Sequence, residues 1–290
     1  MNSGTSLGMN SGMNSGMNGG MNGGMNGAMN SVMNQGQDAR IRFEIREGVA
    51  YVILNAPPLN ILTMAMMDEL SGVLERVQAD LSLKALCVTA NGKAFSAGAD
   101  VDEHRPEKVE AMIGSFGRLF RLLDRLEIPR VMGVAGAALG GGFELALMAD
   151  LLLATEDATF GQPEIRLGFI APIGLLRLPA LVGPARAVEI TASGKTYTAE
   201  EMRSYGLVTR VVPPADLPEA LEASLKHFRM ASPLIMRLNI RTLKRHLGRP
   251  FATALPEAER TFLDELMKTE DVREGLASFF EKRRPVWKNR

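Results

Sequence analysis

The chain has 290 residues, of which 46% are hydrophobic, enough for one large core or a core with a helical appendage. Lys plus Arg and Asp plus Glu number 33 each, so the formal charge is zero and the basic footprint of a nucleic-acid binder is missing. A single cysteine rules out a disulfide framework within the chain, and no apolar run reaches the ~18 residues that would suggest a membrane-spanning helix. From Met9 the sequence runs MNSG MNSG MNGG MNGG MNGA MNSV MNQG. Asn, Ser and Gly oppose helix formation and almost nothing branched or apolar is present to bury, so residues 1–38 are expected to be a disordered tail. The tail lacks the basic start and apolar centre of a signal peptide. Each repeat opens on Met, which leaves open whether translation starts at a later one.

An α/β core is expected over 39–195. RIRFEIREGVAYVILN (40–55) alternates about a Glu-Gly turn and predicts a β-hairpin. MAMMDELSGVLERVQAD (64–80) places Met67, Leu70, Val73, Leu74 and Val77 on one helical face. KALCVTAN (84–91) is a continuous apolar strand of the kind buried on both faces, with Cys87 expected as a small buried hydrophobe. Residues 106–127 carry a stripe at helical spacing through Met112, Phe116, Leu119, Phe120 and Leu123. RVMGVAGAA (130–138) predicts one strand, FELALMA a helix and DLLLAT (150–155) another strand. Helix and strand in alternation argue for crossover connections. From 196 to 290 the segments are mostly helical, separated by Gly, Pro or Ser-Pro, with LVTRVV (207–212) the one strand-like run. Trp287 is expected to anchor the C-terminus by packing.

Two segments break the core pattern. ALGGGFELAL (138–147) puts three glycines and Glu144 in an apolar surround, and KAFSAGADV (93–101) follows the strand at 84–91 with Gly98 between two alanines. Loops of this kind let backbone N–H groups approach a ligand, and a helix start adds partial positive charge. Two such donors could hold one oxygen that becomes negative during a reaction. The glycines alone are equally compatible with close packing of helix on strand.

Taken together, KAFSAGADV, GAALGGGFELALMADLLLA and ATFGQPEIRLGF (158–169) resemble, in order and spacing, the three signatures of the crotonase superfamily of enoyl-CoA hydratases and isomerases. VREGLASFFEKRRPVW resembles that family's last helix. The resemblance covers residues 40–290 and implies a fold of ββα units, a superhelix of two roughly perpendicular sheets with a C-terminal helical trimerisation region, assembled as a trimer or hexamer. It implies that the backbone N–H groups of Ala99 and Gly141 form an oxyanion hole for an acyl-CoA thioester. Ala97 and the backbone through Ala99, Asp100, Val101 and Asp102 would bind along the CoA, while Phe279 and Lys282 would approach it from a neighbouring subunit. Coenzyme A would enter as part of the substrate and no other cofactor is expected. Nor is a nucleic acid, a membrane or a metal: His104, His227 and His246 lack metal-ligand spacing. Cytoplasmic location fits the lone cysteine.

The resemblance also assigns the carboxylates. Glu144 and Glu164 match the pair that holds the water in the hydratases. Glu164 is expected to give a proton to carbon and Glu144 to activate the water. Two carboxylates sharing an apolar site tend to hold one proton between them. Read singly, Glu144 could be a first-turn helix cap and Glu164 a solvated loop residue. The second glutamate is followed by IAPIGLLRLP (170–179), where typical straight-chain hydratases carry a GAGGTQR-like stretch. Pro172, Ile173, Leu175 and Leu176 are therefore expected to alter the acyl pocket and make it more apolar. This stretch, with 57–70 and 99–123, resembles the dienoyl-CoA hydratases acting on cyclohexa-1,5-diene-1-carbonyl-CoA. Straight-chain hydration, isomerisation, or a non-enzymatic RNA-binding or scaffold role on the same fold are the alternatives. His104 is a minor candidate for contact with substrate, and Asp100 is expected mainly to fix its loop.

Overall fold

A computed structural model describes residues 39–290; the segment 1–38, and with it the expected disordered tail, lies outside the described residues. The hairpin forms as expected. β1 (Ile41–Arg46) pairs antiparallel with β2 (Val49–Leu54) around Glu47 and Gly48, both at positive φ. α1 (Met64–Ala79) follows, capped by the Thr63 hydroxyl, which accepts from the Met66 N–H. Its buried face includes Met67, Leu70, Val73, Leu74 and Val77, the five positions of the predicted stripe.

From there the chain alternates between two sheets. β3 (Ala85–Ala90) joins the large sheet and β4 (Ala94–Ser96) the small one, before α2 (Val109–Arg125) returns. β5 (Arg130–Val134) and β6 (Ala137–Leu139) repeat the step, then α3 (Gly141–Ala146). β7 (Leu151–Thr155) and β8 (Thr159–Gly161) repeat it again, then α4 (Pro172–Val182) and α5 (Pro184–Ser193). β9 (Thr196–Thr198), α6 (Ala199–Ser204) and β10 (Arg210–Val212) complete the sheets. The large sheet has the order β1-β2-β3-β5-β7-β10 and the small one β4-β6-β8-β9. This is the ββα repeat that the motifs implied. Both sheets take a strand from beyond residue 195.

The single strand expected over 130–138 is corrected to two strands in different sheets. The reason is Gly136, at φ +67°, where an added Cβ would lie 2.2 Å from the Lys93 carbonyl oxygen. Only glycine lets the chain turn there and pass so close to the neighbouring strand. Likewise, the small sheet's strands are three residues each, too short to announce themselves by alternation.

The large sheet is buried on both faces. Leu86, Val88 and Met132 join the main core with α1 and α2. Ala85, Cys87, Val131 and Leu153 face the other way, onto Leu217, Leu221 and Leu225 of α7 (Leu217–Arg229). Two covered faces explain the continuous apolar runs. Arg130 is 1% exposed and pairs with Asp150, Nη2 lying 2.6 Å from Oδ1. Its Nη1 donates to the Leu123 carbonyl, so one side chain ties β5 and the approach to β7 to α2. Beyond α7 come α8 (Pro233–His246), α9 (Phe251–Arg260) and α10 (Glu270–Phe280). Trp287 folds back: its indole N–H donates to the Met230 carbonyl at 2.7 Å and its ring sits over Gly275.

Candidate active site

The two glycine-bearing loops meet. Leu62 N–H donates to the Gly98 carbonyl and Asp100 N–H to the Leu62 carbonyl, an isolated bridge that centres on Ala99. In such a bridge the residue between the bonded groups turns its own N–H to the opposite side. On that side lies Gly141, where an added Cβ would stand 3.3 Å from the Ala99 nitrogen. Gly141 is the first residue of α3, so its N–H has no acceptor within the helix. Two backbone donors thus sit side by side at one end of a cavity.

Each glycine of the trio has its own reason. Gly140 stands at φ +52°, and an added Cβ would come 2.9 Å from Glu164 Oε1. Gly141 leaves the space beside Ala99 open. Gly142 packs on β4 so closely that a Cβ would lie 2.3 Å from the Ser96 carbonyl oxygen. Close packing therefore accounts for Gly142, while Gly141 leaves the space a ligand would need. Gly142→Ala is expected to cost about 1–3 kcal/mol by overpacking, read as a drop in the thermal midpoint. An unchanged midpoint would show that β4 can move aside.

Glu144 and Glu164 line the same cavity, of about 380 Å³. Glu144 is 2% exposed, on α3. Its Oε1 accepts from the N–H groups of Ile173 and Gly174 at 2.7 and 3.0 Å, at the start of α4. Burial pushes its carboxyl up to about 7; the Gly174 and Ile173 donors oppose the shift and the neighbouring Glu164 charge adds to it. Glu164 sits half-buried on a short 3-10 turn, Pro163–Leu167, rather than on an open loop. Burial raises its carboxyl as well, against a hydrogen bond from its own backbone. Gln162, fully buried, can donate from its amide nitrogen to both Glu164 oxygens at 2.8 and 2.9 Å.

The raised Glu144 value has a consequence for stability. Its folded-state value, about 7, lies above the ordinary 4.5, so the folded chain binds this proton more tightly than the unfolded chain. The contribution is complete below pH 4.5 and is lost as pH rises through 7. Glu144→Gln keeps an oxygen for the two backbone donors and removes the titration. Relative to wild type, it is expected to gain on the order of 2–3 kcal/mol between about pH 5 and about pH 8. Urea unfolding at the two pH values checks this; the same difference at both would refute it.

Most of the remaining cavity wall is apolar. Val101, Met112, Ile113, Phe116, Leu167, Phe169, Ile170 and Pro172 contribute to it, with His104 the one further ionisable side chain. The α2 stripe carried the signal for Met112 and Phe116; Gln162 and the Ile173 and Gly174 amides had none. Of the four residues expected to reshape the pocket, only Pro172 lines it. Ile173 acts through its backbone, Leu175 lines a smaller adjoining cavity, and Leu176 is 76% exposed. Beyond Pro172, the start of α4 turns its amides, not its side chains, to the site.

Ala97, Ala99, Val101 and Gly141 line the cavity as the motifs implied. Asp100 sits beside it and holds the loop: its carboxylate accepts from Asp102 N–H and its carbonyl takes a hydrogen bond from His104. Asp102 is exposed and pairs with Arg105 and Lys108. Phe279 and Lys282 are exposed at the end of α10 and do not line the cavity of their own chain. His227 is exposed and His246 half-buried, both away from the cavity. Among the described residues no cluster of three or more His, Cys, Asp or Glu could hold a metal, and no helix is long and apolar enough to cross a membrane.

Paired backbone donors and paired carboxylates therefore meet around one largely apolar cavity. Comparison with known proteins gives the family. The chain matches the model for enoyl-CoA hydratase/isomerase over residues 44–290, and it belongs to that family. A protein from Mycobacterium tuberculosis named "Probable enoyl-CoA hydratase echA8" is 36% identical over 256 residues, covering 86% of this chain and 98% of that one. The cyclohexa-1,5-dienecarbonyl-CoA hydratase of Thauera aromatica is 37% identical over 242 residues, covering 82% and 92%. The crystal structure of an enoyl-CoA hydratase from Bacillus anthracis superposes with a TM-score of 0.82 at 29% identity, covering 87% of this chain and 100% of that one.

Proposed function

We propose that the chain is an acyl-CoA hydratase that adds water to a conjugated enoyl or dienoyl thioester. The observation that carries this reading is the convergence of two backbone donors and two carboxylates on one cavity. The thioester oxygen would lie between the Ala99 and Gly141 N–H groups. For an enoyl thioester, Glu144 takes a proton from water as the oxygen bonds to the β-carbon. The electron pair of the C=C bond moves onto the thioester oxygen, giving an enolate held by the two donors. Glu164 then delivers a proton to the α-carbon. The Ile173 and Gly174 amides support Glu144 in its ionised form, which suits the base. Proton transfer alone completes the reaction, so coenzyme A within the substrate is the one carrier required.

Within this class we favour cyclohexa-1,5-diene-1-carbonyl-CoA, converted to 6-hydroxycyclohex-1-ene-1-carbonyl-CoA. The apolar wall suits a compact hydrocarbon ring, and the Thauera aromatica relative bears the corresponding name. Relatives named as enoyl-CoA hydratases are as similar, so a straight-chain enoyl group is the second reading. The exposed Phe279 and Lys282 we place against the CoA of a neighbouring subunit in a cytoplasmic trimer or hexamer. The test is an ultraviolet and mass-spectrometric assay with crotonyl-CoA and with the cyclic dienoyl-CoA. Mass gain of one water on the diene alone supports the favoured substrate, and fast hydration of crotonyl-CoA supports the second reading. A shifted double bond without mass gain would make the protein an isomerase.

A further inference from the structure

A second cavity, of about 180 Å³, adjoins the first. Glu164, Phe169 and Ile170 border both, while Leu175, Thr191 and Ala192 line only the smaller one. The chain at 169–170 therefore stands as a partition beside the catalytic carboxylate. Its backbone is held where the Phe169 N–H donates to the Glu164 carbonyl at 3.0 Å, and the Phe169 side chain makes a ring contact. Phe169 meets the His104 imidazole with ring centroids 4.8 Å apart and planes tilted by 42°. His104 lies just after the loop that carries Ala99. Its Nδ1 lies 2.8 Å from the Asp100 carbonyl oxygen. A carbonyl only accepts, so Nδ1 carries the proton and the ring is fixed in orientation. Phe169 itself is 36% exposed and has no place in the buried core, so packing against the core does not set its position.

We propose that Phe169, braced by His104, gauges the acyl group: it keeps the two cavities apart, admits short or ring-shaped acyl groups, and turns away long linear chains. His104 is a positioning residue in this arrangement and Phe169 the surface the acyl group meets. Aromatic contacts of this kind are worth enough to bias one rotamer over another, and a lost partition would let a long chain run on into the smaller cavity. The inference rests on the acyl-CoA reading of the site and adds to it the limit on chain length.

Binding of saturated thioesters tests it without depending on turnover. Butanoyl-CoA, cyclohexanecarbonyl-CoA and dodecanoyl-CoA are titrated calorimetrically into the full chain and into Phe169→Ala, His104→Ala and His104→Phe. In wild type, dodecanoyl-CoA is expected to bind weaker than the two compact thioesters by about tenfold or more. Phe169→Ala should bring that ratio close to one or reverse it. His104→Ala should move it the same way, and His104→Phe, which restores a ring against Phe169, should move it back. Equal affinities in wild type, or a ratio that Phe169→Ala leaves unchanged, overturn the proposal. A ratio moved by Phe169→Ala and untouched by His104→Ala overturns the bracing role. Failure of the hydratase reading looks different: the ratios shift as described while no unsaturated thioester gains water.

Discussion

Glu144→Gln and Glu164→Gln are each expected to lower kcat for hydration by about 10²–10⁴-fold, the usual worth of a positioned acid or base. Both carboxylates border the cavity, and Glu144 is held by two backbone donors that a glutamine oxygen would also satisfy. The geometry should therefore survive and the chemistry should not. The loss should fall on kcat more than on KM, because the proton transfers occur only on the way to the transition state. The double variant should be little worse than either single one, since the two groups serve one water. Steady-state kinetics on the best of the two candidate thioesters checks this. If only one glutamine variant is slow, a single carboxylate does the acid–base work and the paired-carboxylate mechanism fails.

Gly141→Pro is the second large effect, expected to lower kcat by about 10²–10³-fold. Gly141 opens α3, and proline is tolerated at the first position of a helix because its missing N–H has no intrahelical acceptor. What proline removes here is one of the two backbone donors proposed to hold the enolate oxygen. Gly141→Ala is the control: it adds the Cβ that would stand 3.3 Å from the Ala99 nitrogen but keeps the N–H. A deficit in the proline variant well beyond that of the alanine variant measures the donor. Equal deficits would mean that crowding of the cavity, not loss of the hydrogen bond, is responsible.

The candidate site was legible in the sequence to an unusual degree because its parts are local. Gly98, Gly140 and Gly141 have glycine-specific geometry or close approach, and Glu144 follows on the same short helix. Glu164 sits three residues after the short strand β8, next to Gln162. Motifs of this length record what a few neighbouring residues must do. The hairpin and the α1 stripe were legible for the same reason: each is a periodic pattern within one segment.

Other features depend on segments far apart in the chain. The switch of sheets at Gly136 is set by the Lys93 carbonyl, 43 residues earlier (136 − 93). The donors that hold Glu144 come from Ile173 and Gly174, whose side chains had suggested an apolar pocket wall. Apolar character there instead places Leu175 in the smaller cavity and Leu176 at the surface. The contact of His104 with Phe169 joins two loops that share no pattern.

By itself, then, the sequence determined the family, the two glutamates and the two glycine-bearing loops that meet at the cavity, and most helices, because each is written in adjacent residues or in one helical period. Only the tertiary structure decided where the chain switches sheets, the buried amide support of Glu144 and the contact of His104 with Phe169. Those depend on which distant groups come within hydrogen-bond or van der Waals reach, and a backbone amide carries no side-chain label that a sequence could show.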